Sequence, residues 1–168
     1  MYSFSLRILH KILAIFIVLQ LLVGFGFEWG LFESKQIITL HKSFGLCIFF
    51  IVILTIIAKI VSDKPPYSPA LPLWQYMVAK ITHLGLYICI MGMCLSGLIG
   101  SILMGYPWKI FFVIPFPNFL PTNQSLGWEI FSYHSVFATA LGLLVVLHIL
   151  AALYHQLILK DGILSRMK

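Results

Sequence analysis

Six histidines, His10, His41, His83, His134, His148 and His155, are the side chains in this sequence best suited to chemistry. Three of them fall within one stretch, Phe131 to Lys160, which is apolar enough and long enough to cross a bilayer as one helix. His134 and His148 are fourteen residues apart. That spacing is ~21 Å along a helix axis and only ~40° around it. His155 follows seven residues later on nearly the same face. An imidazole inside a membrane span is costly and usually has a partner or a job. Imidazole nitrogens ligate metals and carry protons near neutral pH. Two of them stacked on one face, at depths near the two membrane surfaces, suit two haem irons.

The rest of the chain supplies helices to hold such ligands. Of 168 residues, 61% are hydrophobic and 10% charged, against roughly 25% charged in a soluble domain. This implies an integral membrane protein and excludes a soluble enzyme domain. The net charge of +6 is a topology signal, because no clustered basic face suggests nucleic-acid binding. Cys47, Cys89 and Cys94 all lie in apolar runs and read as small packing residues. There is no C-x-x-C-H motif, so any haem is held non-covalently, as in a b-type cytochrome.

Apolar runs predict an all-α fold, a four-helix membrane bundle forming one domain over residues 1–168, with spans near 8–27, 37–61, 77–104 and 130–159. The first run follows Arg7 but lacks an A-x-A-like cleavage site, and reads as a retained helix. A proline-rich loop containing Pro65, Pro66, Pro69 and Pro72 separates the second and third spans. Residues 105–128 are apolar but broken by Pro107, Pro115, Pro117 and Pro121, and rich in aromatic residues; they read as an interfacial loop capping the outer helix ends. Gly85, Gly92, Gly97 and Gly100 give the third span small faces for close packing against a neighbour or a flat cofactor.

Four spans put Arg7, Lys11, Lys59, Lys64, Lys80, Lys160, Arg166 and Lys168 on one side and Lys35, Lys42 and Lys109 on the other. The positive-inside rule then makes both termini cytoplasmic, in the inner membrane of a bacterium. Depth follows from orientation. His41 and His134 share the outer level; His10, His83, His148 and His155 share the inner one. A bis-imidazole haem needs two histidines at one depth on facing helices, so His41 pairs with His134. His10 with His148 is the preferred inner pair, because both lie deeper than the helix-end histidines. Gly45, four residues after His41, and Ala138 and Ala152, four after His134 and His148, leave room for a flat macrocycle. A zinc site would need three or four ligands at one level, and the cysteines lie at other depths.

With these residues in place, the sequence resembles the bacterial cytochrome b561 family of small four-helix di-haem membrane cytochromes. The resemblance covers almost the whole chain. It rests on His10 after a basic start, His41-x-x-x-Gly45, Thr82-His83-Leu84-Gly85, Pro107-Trp108, Tyr133-His134-Ser135-x-x-Ala138-Thr139, His148, Leu153-x-His155, Lys160-Asp161 and Leu164-x-Arg166-Met167. It implies two haem b groups with His10, His41, His134 and His148 as axial ligands. It also implies superoxide oxidase activity, which takes electrons from superoxide at the outer face, reduces ubiquinone and draws protons from the cytoplasm. The family's Ala-His-Leu-Gly-His segment departs here, with Leu86 at the second histidine position.

On that reading Lys42 and Lys109, with Lys35, concentrate a small anion outside, although Glu28, Glu33 and Glu129 balance their formal charge. His155 and His83 hydrogen-bond a quinone carbonyl inside and relay protons. Membrane lipid, quinone and superoxide are then the partners. A second reading makes the chain an electron-transfer subunit anchoring a larger quinone-linked dehydrogenase or reductase, with a redox partner protein. A transporter is disfavoured, because the sequence shows neither an inverted repeat nor an acidic residue within a span.

Overall fold

The computed structural model of the chain describes residues 3–62 and 71–164. Lys64, Pro65, Pro66, Pro69, Arg166, Met167 and Lys168, all used in the sequence reading, lie outside the described residues. Four long helices follow in order: α1 (Phe4–Glu28), α2 (Lys35–Val61), α3 (Leu73–Leu103) and α4 (Gln124–Tyr154). All four are long and apolar enough to span a membrane. A short antiparallel hairpin, β1 (Lys109–Ile110) with β2 (Ile114–Pro115), lies between α3 and α4.

Local chemistry accounts for the helix ends. The Ser3 hydroxyl accepts from the Leu6 N–H at 3.4 Å and opens α1. Gly30, at φ 70°, turns the chain out of that helix. Pro72 precedes α3, where a missing N–H costs nothing. The Asn123 carboxamide accepts from the Leu126 N–H at 3.1 Å. That cap starts α4 at Gln124, inside the stretch expected to be loop through residue 128. Beyond Tyr154 the helix widens into a π-helical turn over His155–Leu159 and stops at Lys160, which is left-handed at φ 51°.

The helices pack as two consecutive pairs. α3 lies closest against α4, α1 packs on α2, and α2 bridges to α3, whereas α1 meets α4 at few points. Glycines bring α3 and α4 together: a Cβ on Gly92 would stand 2.6 Å from the Phe137 ring, and one on Gly100 would stand 3.0 Å from Phe131 Cβ. The core gathers Leu13, Ile17, Leu21, Ile48, Val52, Cys89, Ile90, Met93 and Leu141. Much of the remaining apolar surface faces outward, including Leu143, Val146, Leu150 and Leu157 on α4 and its extension. A helix apolar on every face needs lipid around it. Three small polar side chains inside the spans are satisfied within their own helices. Ser43, Thr55 and Ser96 donate to the carbonyls of Thr39, Ile51 and Gly92, at 2.8, 2.7 and 2.6 Å.

One end of the bundle, the one nearest both termini along the chain, carries the starts of α1 and α3 and the ends of α2 and α4. The other carries the α1–α2 turn and the hairpin. The expected interfacial loop contains this hairpin. Trp108 stacks on Phe116 at 4.6 Å, and the Phe116 N–H donates to the Trp108 carbonyl. The Phe111 N–H donates to Ser43 Oγ at 2.9 Å, tying the hairpin to α2.

Candidate functional site

At the hairpin end, α2 supplies His41 and α4 supplies His134. Their ring centroids are 6.2 Å apart, with planes 76° apart. The His134 ring stacks on Phe131 at 5.4 Å, and its Nδ1 lies 2.8 Å from the Met93 carbonyl of α3. The carbonyl can only accept, so Nδ1 carries the proton and Nε2 keeps its lone pair. Gly97 makes this position possible, since a Cβ there would lie 2.7 Å from His134 Nδ1. The buried Nδ1 of His41 finds no hydrogen-bond partner among the described residues. The His41 carbonyl accepts from the buried Gln20 side chain at 2.7 Å.

Between these histidines lies a cavity of about 450 Å³, bordered by Gly24, Gly45, Gly97 and Ala138 and walled by Phe25, Leu46 and Phe49. Lys42 also lines it, donating to Ser101 Oγ at 2.6 Å with its ammonium 5.7 Å from the Trp108 ring centroid. Lys109 stands exposed on β1, outside the cavity wall. Of the three cations expected to act together, Lys42 is inside, while Lys35 and Lys109 are on the surface.

At the opposite end, His10 of α1 and His148 of α4 have ring centroids 6.2 Å apart and planes 60° apart. His83 approaches the same His148 ring more closely, at 5.1 Å, with its own Nδ1 2.6 Å from the Ala79 carbonyl. His155 joins neither pair. Its Nδ1 lies 2.5 Å from Asp161 Oδ2, and the other Asp161 oxygen accepts from the Ile163 N–H at 3.1 Å. Partial desolvation pushes the Asp161 carboxyl up, but these hydrogen bonds hold it below its ordinary value overall.

Two partners escape the sequence: Asp161 is not linked there to His155, and Lys42 reads as surface charge. The signal for Asp161 was its place beside Gly162, where a helix must break.

The family model described as "Prokaryotic cytochrome b561" matches residues 1–168. The chain belongs to that family. It is 30% identical over 129 residues to cytochrome b561 homolog 1 of Escherichia coli, covering 76% of this chain and 72% of that one. It is 27% identical over 128 residues to cytochrome b561 homolog 2 of the same organism, covering 76% and 68%. A Yersinia pestis relative named "Probable superoxide oxidase CybB" is 28% identical over 131 residues, covering 76% and 72%.

Cytochromes b561 bind b-type haem and transfer electrons across a membrane. The residues present fit such a group. Two imidazoles that shared one haem iron would have ring centroids ~6 Å apart. His41–His134 and His10–His148 both have that spacing, and His83–His148 is an ångström shorter. The glycine-bordered cavity points the same way.

Proposed function

We propose that this cytochrome b561 holds two b haems, on His41 with His134 and on His10 with His148, and oxidises superoxide at the hairpin end while reducing ubiquinone at the end carrying the termini. The observation behind this reading is the recurrence of one imidazole separation, 6.2 Å, at both ends of a single bundle. Bound b haem supplies one-electron chemistry, at potentials tuned by its surroundings. The protein does the rest. His134 is oriented by Met93, and Gly45 and Gly97 keep side chains out of the space between the ligands. The apolar wall of Phe25, Leu46 and Phe49 keeps water out. Lys42, steered by Ser101 and the Trp108 face, draws a small anion toward the cavity, and exposed Lys109 raises its rate of encounter.

At the other end His155 and His83 hydrogen-bond the quinone carbonyls. Two superoxide anions each give up one electron and leave as dioxygen; ubiquinone takes both electrons and two protons to become the quinol. The excess of Lys and Arg at that end orients both termini to the cytoplasm of a bacterial inner membrane, from which the protons come. The name of the Yersinia pestis relative supports the superoxide reading. Pyridine haemochrome analysis of the purified protein should give two haems per chain, and one or none would sink the ligand assignment. Superoxide should reduce the haems within a stopped-flow trace, and ubiquinone should reoxidise them. If superoxide leaves them oxidised, the chain is an electron-transfer subunit of a larger quinone-linked enzyme.

A further inference from the structure

We propose that Asp161 is a positioning residue for quinone reduction: it holds His155 in the tautomer that turns Nε2 toward the quinone carbonyl. This rests on the quinone reading above. The geometry is local and unusual. On a continued α-helix, residues six apart stand ~9 Å apart along the axis and ~240° around it, so their side chains cannot meet. Here the π-helical turn over His155–Leu159 and left-handed Lys160 turn the chain back, and Gly162, at φ 75°, completes the reversal. The carboxylate then reaches the ring at 2.5 Å, while its second oxygen is held by the Ile163 N–H at 3.1 Å. Asp161 is thus itself fixed, with one oxygen for the ring and one for the backbone.

An ionised carboxylate can only accept, so Nδ1 of His155 must carry a proton. Nε2, on the far side of the ring, is then the free position. It is an acceptor in the neutral ring and a donor once protonated. A carboxylate behind an imidazole both selects this tautomer and stabilises the imidazolium. His155 and Asp161 keep 18% and 16% side-chain exposure, enough for contact with the aqueous phase at the membrane surface. His155 imidazolium gives its Nε2 proton to a carbonyl oxygen of ubiquinone as the quinone accepts an electron. The neutral ring regains a proton from water on that side. The second electron follows, and the second proton goes to the opposite carbonyl oxygen, the one assigned above to His83; both electrons come from superoxide.

The test uses the full-length, haem-loaded protein reduced with dithionite, so that superoxide plays no part. Reoxidation by a water-soluble ubiquinone is followed by stopped flow. Asp161→Asn keeps an acceptor for Ile163 and loses the charge; it should slow reoxidation at least ~10-fold, less than the ~10²–10⁴-fold of losing the general acid outright, because His155 stays in place. Asp161→Glu should recover part of that loss. In a His155→Ala background Asp161→Asn should have no further effect, because the two act as a unit. A purely structural role for Asp161 predicts additive losses instead, and that result overturns the proposal. Nitrogen-15 NMR of labelled histidine reads the tautomer directly, without quinone. Nδ1–H is expected at His155 in the wild type, and Nε2–H would overturn the dyad. A reduced wild-type protein that ubiquinone fails to reoxidise would instead refute the quinone reading, and this proposal with it.

Discussion

A single methyl group at Gly97 should separate the two proposed haem sites. A Cβ at that position would lie 2.7 Å from His134 Nδ1 and 2.8 Å from its Cε1. Ordinary contact needs ~3.5 Å or more, so in Gly97→Ala the imidazole must retreat by nearly an ångström. The retreat breaks the 2.8 Å hydrogen bond to Met93, worth about 1 kcal/mol. Overpacking adds about 1–3 kcal/mol. The sum, about 2–4 kcal/mol, corresponds to a roughly 30- to 700-fold weaker hold on the haem between His41 and His134. The assay is haem retention during dilution in detergent, read from the reduced spectrum, with the His10–His148 haem as internal reference. Gly45→Ala is the informative companion, because the nearest protein atom to its Cβ is Gln20 Nε2, at an ordinary 3.8 Å. Among the described residues no protein atom stands closer, so a loss of haem in Gly45→Ala reports a flat group lying against α2. Should Gly97→Ala retain both haems with an unchanged spectrum, His134 is not an axial ligand in this orientation.

Three further outcomes are expected. His10→Ala should remove the haem at the end carrying the termini, whereas His83→Ala should leave it bound, because His83 stands too close to His148 to share an iron with it; haem-to-protein ratios distinguish them. Lys109→Glu should slow reduction by superoxide and leave reoxidation by quinone unchanged, with the difference shrinking above ~0.1 M salt, where screening acts over ~10 Å. Asp161 ionises below its ordinary range in the folded chain, so its stabilising contacts are complete above about pH 4 and lost as pH falls through the depressed value; the hydrogen-exchange protection factor of the Ile163 amide should therefore hold down to about pH 4 and decline below it.

The four spans were legible because each is a long uninterrupted apolar run, and the helical period alone put His134 and His148 on one face. Depth then paired His41 with His134 and His10 with His148, the two pairs that the structure brings to 6.2 Å. What escaped the sequence has local causes. The hairpin has two-residue strands, too short for an alternating pattern, and its turn puts Phe111 and Phe112 at positive φ without a glycine to announce it. The early start of α4 depends on one Asn123 hydrogen bond. Lys42 looked like surface charge because Ser101 and Trp108, which hold it, are far away in sequence. His155 and Asp161 meet only because the helix widens and then breaks, and periodicity argues against that contact.

The distribution of the histidines over the helix pairs dictates an order of assembly. His10 and His41 come from α1 and α2, and both of their partners come from α4. α1 and α4 touch at few points, so little protein bridges the seam in which the pairs form. During synthesis the first two helices can insert as a hairpin with their imidazoles unsatisfied. Neither bis-histidine pair can exist until α4 has entered the bilayer. Arrival of that one helix completes both pairs at once, so acquisition of the two proposed haems should be a single late event in the biogenesis of this membrane protein, coupled to closure of the bundle.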